Sequence, residues 1–226
     1  MGYTLNVVHQ DLSRGQSRSL NLPIIVYAFR ERLSNINSLK PSKRDMEFLE
    51  NITNQYEVNM ALLESSKNFV ISKGKAEELL TMLKEIKKLN DISLSEIIRL
   101  KMNLLRSSGK LRRKEIEITV SLCDKIISTL HEIRSKLSEV ITKVEKVTVF
   151  SEVISILEEI LMLYTNLFFD IIENLYVLIN EINKELYGYS RIREKLRLSN
   201  DIRKIIKNLE PPYQLLTQKI VRILSN

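Results

Sequence analysis

From Ile154 to Ile182 the apolar residues fall at Ile154, Leu157, Leu161, Tyr164, Phe168, Ile171, Leu175, Leu178 and Ile182. The steps alternate three and four, the spacing that holds one stripe of an α-helix against a partner. Ile160 and Leu167 widen the stripe on one flank, and Leu163, Ile172 and Ile179 on the other. A two-stranded coiled coil needs less than this, so the pattern predicts a helix surrounded by others in a bundle. Glu158, Glu159, Asp170 and Glu173 interrupt the stretch, and charges at that frequency argue against a membrane span.

The preceding stretch, Lys110 to Val147, contains neither Gly nor Pro and carries a heptad. Ile116, Cys123, Leu130, Leu137 and Val144 form one position, and Thr119, Ile126, Ile133, Val140 and Val147 the other. A single helix from residue 110 through 183 would extend for about 110 Å at 1.5 Å per residue. A reversal at Thr148-Val149-Phe150-Ser151 buries the two stripes against each other instead, giving a coiled-coil-like antiparallel hairpin.

The rest of the chain reads as shorter helices. Residues 1–21 are an irregular or extended lead. Pro23 opens a helix to about Asn37, with Ile25, Tyr27, Phe29 and Leu33 as apolar content, and Leu39-Lys40-Pro41 ends it. Ser42 and Asp45 form a capping pair for a helix over Lys43–Asn68, whose stripe is Met46, Leu49, Ile52, Tyr56, Met60 and Leu63. Phe69-Val70-Ile71 is a short apolar run, followed by a turn at Lys73-Gly74-Lys75. A third helix runs from Ala76 to Leu89 and breaks at Asn90-Asp91. Ser93 or Ser95 caps a fourth, which stops near Ser107-Ser108-Gly109. Gly188 marks another turn, Ser190 caps a basic helix, Pro211-Pro212 stop it, and a final helix covers Tyr213–Leu224. The expected fold is all-α: an elongated helical bundle built on a long antiparallel hairpin over residues 110–187. Its segments are the lead 1–21, a helical part 22–109, the hairpin 110–187 and basic C-terminal helices 188–226.

Composition supports this. Among 226 residues there are five Gly and four Pro, and 28% are charged, a folded helical profile rather than a disordered one. The richness in Ile, Lys and Glu suits a heat-tolerant protein, although an AT-rich genome gives the same bias. The net charge of +7 is uneven: +1 over residues 1–72, +7 over 73–114, −7 over 115–183 and +6 over 184–226. Basic flanks around an acidic middle can steer a polyanion, or hold the chain's own segments together. The single cysteine, Cys123, excludes an internal disulfide and sits on the heptad stripe as a small hydrophobe. Met1–Gln10 has no basic-then-apolar leader, so the expected address is cytoplasmic. Asn6 fills the position where a myristoylation signal requires Ser or Thr, and Asn51-Ile52-Thr53 is a chance glycosylation match.

Candidate chemistry is sparse. The two histidines are His9 and His131, and Ser128 stands where a Glu-x-x-His metal motif would need glutamate. There is no His-Glu-x-x-His, glycine-rich phosphate loop or nucleophile elbow. No catalytic, metal or cofactor residue is therefore expected. The basic clusters are the candidates for contact with a nucleic acid or other polyanion. The first is Lys110, Arg112, Arg113 and Lys114, preceded by Arg106. The second is Arg191, Arg193, Arg197, Arg203, Lys204 and Lys207, preceded by Tyr187 and Tyr189, which could stack on bases. Without a zinc finger, RNP-like or helix-turn-helix signature, such contact would read backbone rather than bases. The bland reading of both clusters is a solvated face that complements the acidic middle. The expected function is a non-catalytic structural or interaction protein acting through protein–protein assembly or self-association. Sequence-nonspecific nucleic-acid binding is the alternative, and an enzyme with an unrecognised carboxylate site the third reading. No membrane role is expected.

Overall fold

The computed structural model describes residues 22–67, 72–106, 113–146, 150–183, 189–221 and 223. They form six α-helices: α1 Leu22–Ser38, α2 Lys43–Ser65, α3 Lys73–Arg106, α4 Arg113–Lys146, α5 Phe150–Asn183 and α6 Tyr189–Gln214. The last continues into a π-helical turn over Leu215–Ile220. Pro23 stands in the first turn of α1, where a missing N–H costs nothing. Lys40, at φ 57°, takes the left-handed conformation that ends the α1 approach to α2. Ser42 then caps α2, its Oγ accepting the Asp45 N–H at 3.2 Å.

Successive helices run in opposite directions. α3 packs on α4, α4 on α5, α5 on α6 and α6 back on α3, which closes a four-helix bundle. The α1–α2 hairpin lies against α5 from outside that bundle. α5 is therefore enclosed by α4 and α6 on one side and by α1 and α2 on the other. This is why its apolar stripe is so wide. Ile154, Leu157, Leu161, Tyr164, Phe168, Ile171 and Leu175 are fully buried, as are the flanking Ile160 and Ile172. Phe29 of α1 stacks on Phe169 of α5 at 5.1 Å and meets Tyr56 of α2 edge-on at 5.1 Å. Phe168 receives Phe48 of α2 and Tyr213 of α6, each edge-on at 5.3 Å.

The α4–α5 hairpin carries a ladder of ion pairs, with every lysine on α4 and every carboxylate on α5. Lys114 pairs with Glu181 at 2.9 Å and Lys125 with Asp170 at 2.9 Å. Lys136 pairs with Glu159, and Lys143 with Glu152. Steps of eleven, eleven and seven residues forward on α4 are matched by the same steps backward on α5. Eleven residues are about three helical turns and seven about two, so all four pairs share one antiparallel register. Exposed rungs contribute little each. Asp170 is different, because it is buried and is also held by Arg32 of α1 at 2.8 Å. Arg32 reaches Glu173 at 2.9 Å and lies over the Phe169 ring at 5.1 Å.

Three expectations need correction. Residues 76–107 are not two helices: α3 is one helix of 34 residues, as long as α4 and α5. Asn90 does not break it, because its side chain faces the core, donating to Leu130 O at 3.1 Å and accepting from Tyr164 OH at 3.3 Å. Ser93 and Ser95 bond back to Leu89 O and Asp91 O within the helix. Lys73-Gly74-Lys75 is likewise the first turn of α3 rather than a turn before it. Pro211 and Pro212 do not stop α6, which passes through both. Within α1, Val26, Phe29 and Ile36 fill the buried face, and Tyr27 is 70% exposed.

Of the α4 heptad, Cys123, Leu130, Leu137, Val144, Thr119, Ile126, Ile133 and Val140 are buried, and Ile116 is half-buried. The lead 1–21, Phe69-Val70-Ile71, Ser107-Ser108-Gly109, Val147, Thr148-Val149, Gly188 and the end beyond Ile223 lie outside the described residues. Among the described residues no helix is long and apolar enough to cross a membrane.

Candidate functional site

The alternating helix directions bring Arg106 and Lys114 of the first basic cluster and the described part of the second, from Arg197 on, to one end of the molecule. Lys101 of α3 pairs with Asp124 of α4, Lys114 of α4 with Glu181 of α5, and Tyr176 of α5 contacts Arg203 of α6. The C-terminal end of α3, the N-terminal end of α4 and the N-terminal half of α6 therefore gather there. The start of α2 joins them, through Ser42 N–H donating to Tyr176 OH at 2.7 Å.

Some of the basic charge at this end is satisfied within the chain. Lys114 is held by Glu181, Lys204 by Asp201 at 3.5 Å, and Arg203 by Asp45 at 2.9 Å. The Asp45 site is the most elaborate. Oδ1 accepts from Arg203, and Oδ2 accepts from Tyr176 OH at 2.5 Å and from Ser42 Oγ at 2.8 Å. Burial by itself would raise the Asp45 pKa. The hydrogen bonds from Arg203, Tyr176 and Ser42 and the guanidinium charge outweigh it and hold the carboxyl below its ordinary value. Arg203 is thus a strut joining α6 to the start of α2.

Beside this strut an open groove of about 970 Å³ runs between α2 and α6. Arg44, Arg197 and Lys207 line it, all exposed, and none has an ion-pair partner among the described residues. Phe48, Ile206 and Leu196 form its apolar parts, with Leu196 61% exposed. Asp201 and Glu210 also line it, so the surface is a mosaic rather than a uniformly positive one.

Four of the residues singled out by sequence, Arg197, Arg203, Lys204 and Lys207, come together in this groove. Arg106 is exposed in the last turn of α3, outside the groove lining. Arg113, Tyr189, Arg191 and Arg193 fall on helical backbone, but their side chains lie outside what is described, as do Lys110, Arg112 and Tyr187 altogether. Sequence reading missed Arg44. It stands beside Lys43 and close to Lys40, a basic stretch smaller than the two clusters, and its place inside the Ser42–Asp45 capping pair puts it at a helix start.

For chemistry other than charge the site offers little. His131 is exposed on α4. Among the described residues no group of three His, Cys, Asp or Glu side chains is placed to hold a metal ion. Compared with known protein families, with curated proteins and with solved structures, the chain matches none.

Proposed function

We propose that this is a non-catalytic helical interaction protein that assembles with another protein through the basic end of its bundle. One observation carries the reading: Arg44, Arg197 and Lys207 face a groove between two helices, with no carboxylate partner of their own among the described residues. Four lysines along the hairpin, Lys114, Lys125, Lys136 and Lys143, are spent on intramolecular rungs. A positively charged groove favours an acidic partner by steering its approach and excluding basic competitors. The wide apolar stripe of α5 is consumed inside one chain, so self-association is not required to bury it.

Nucleic-acid binding is the second reading, favoured by the gathering of Arg106, Arg197 and Lys207 at one end. A titration separates the two. Poly-L-glutamate and a single-stranded oligonucleotide of equal charge are added to the protein and to an Arg44→Ala/Arg197→Ala/Lys207→Ala variant, at low and high salt. The expected result is salt-sensitive polyglutamate binding that the variant loses, with the oligonucleotide bound no more tightly. Binding of neither, or equal binding by the variant, overturns the groove as a docking surface. Oligonucleotide binding about 100-fold tighter, lost in the variant, transfers the site to nucleic acid.

A further inference from the structure

Resting on that reading, we infer that the groove takes an acidic amphipathic helix of a partner protein, laid along α6. The lining residues on α6 extend from Leu196 to Glu210, a rise of about 21 Å at 1.5 Å per residue. That length matches about four turns of a docked helix, the helix-in-groove mode of recognition. Arg197 and Lys207 stand ten residues apart on α6, and Arg44 faces them from the first turn of α2. Carboxylates repeated over about three turns of a ligand helix can answer the two α6 cations, while apolar residues on the adjacent stripe cover Leu196 and the exposed part of Phe48.

Three features favour a helix over a phosphate chain. Leu196 is 61% exposed at the groove wall, and a solvated phosphate backbone gains nothing from covering it. Asp201 and Glu210 interrupt the positive lining. They would repel a uniformly charged chain, whereas a peptide can place neutral or basic side chains opposite them. The aromatic ring in the groove, Phe48, is packed edge-on against Phe168 at 5.3 Å and only partly exposed, a poor platform for a base to stack on.

The test uses the full chain and two synthetic peptides of about 15 residues. One carries glutamates on one helical face and leucines on the adjacent stripe, and the other has the same composition scrambled. The patterned peptide is expected to bind at least about tenfold more tightly, about 1.4 kcal/mol. Leu196→Asp should erase that advantage without disturbing the fold, because the side chain is largely exposed. Arg197→Glu should weaken the patterned peptide, and a peptide with the facing glutamate changed to lysine should restore it. Equal binding of patterned and scrambled peptides overturns the helix while leaving an anionic docking surface intact. Failure of both peptides and of polyglutamate removes that surface as well. An oligonucleotide outcompeting the patterned peptide overturns the inference in favour of nucleic acid.

Discussion

The hydroxyl of Ser93 on α3 lies 3.2 Å from the main-chain oxygen of Asn208 on α6. In an unbroken helix that oxygen would accept from the N–H of residue 212, but residue 212 is proline and has none. Ser93 supplies the missing donor, sharing its proton with Leu89 O at 3.1 Å. The companion oxygen, of Lys207, loses its donor to Pro211, and both of those residues are exposed to water. One freed carbonyl thus lies on an exposed stretch of α6 and the part-buried one is met by a neighbouring helix, which lets α6 continue through two prolines.

This pairing predicts a non-additive cycle. Ser93→Ala should destabilise the protein by roughly 1 kcal/mol, because it leaves a part-buried carbonyl unpaired. In a Pro212→Ala background the N–H returns and serves Asn208, so the same substitution should cost about 1 kcal/mol less. Denaturant unfolding of the four proteins measures the difference, and strict additivity would refute the role given to Ser93.

Asn90 should behave as a core organiser. It is completely buried and joins α3 to α4 through Leu130 O and to α5 through Tyr164 OH. Asn90→Ala strands the Tyr164 hydroxyl and opens a small cavity, with an expected loss of roughly 2 kcal/mol. Adding Tyr164→Phe removes the stranded group and should recover part of that loss. A melting series on the single and double variants decides it.

Acid should loosen the junction of α2, α5 and α6. Asp45 has its folded pKa depressed, so its contribution is fully present above the unfolded carboxylate value near ~3.9 and is lost as the pH falls through the lower folded value. Asp45→Asn should therefore flatten the fall in stability over that acid range while lowering stability at neutral pH. Arg203→Ala should do the same in part. Unfolding free energies measured from neutral pH downward test the sign. A variant as acid-sensitive as the parent would contradict it.

Cys123 should be silent in the native protein. Burial, with a smaller contribution from Asp124, pushes its thiol up to about 11, and the side chain is enclosed in the core. A thiol-reactive dye at mildly alkaline pH should label it only through opening of the bundle, at a rate that follows denaturant stability. Asn90→Ala should accelerate labelling in proportion to its destabilisation. Prompt stoichiometric labelling of the parent would show that α4 is not packed as described.

The sequence alone determined the helical class, the α4–α5 hairpin, the Ser42 cap and the burial of Cys123, because each is a local matter of period and chain chemistry. Three- and four-residue spacing is visible without knowing what covers the stripe, and a stripe too wide for one partner already announced several. Where α3 and α6 continue was decided only by tertiary structure. Asn90-Asp91 and Pro211-Pro212 are breakers in an isolated helix, since their side chains or missing N–H groups disturb its hydrogen bonding. Here Leu130 and Tyr164 receive Asn90, and Ser93 receives the carbonyl that Pro212 leaves free. The candidate site divides in the same way. Lysines and arginines can be counted along the chain, but which ones are spent cannot. Arg203 is tied to Asp45 from 158 positions away, while Arg44, from the start of α2, is brought opposite Arg197 and Lys207. Charge is a property of residues, and its availability is a property of the packing between helices.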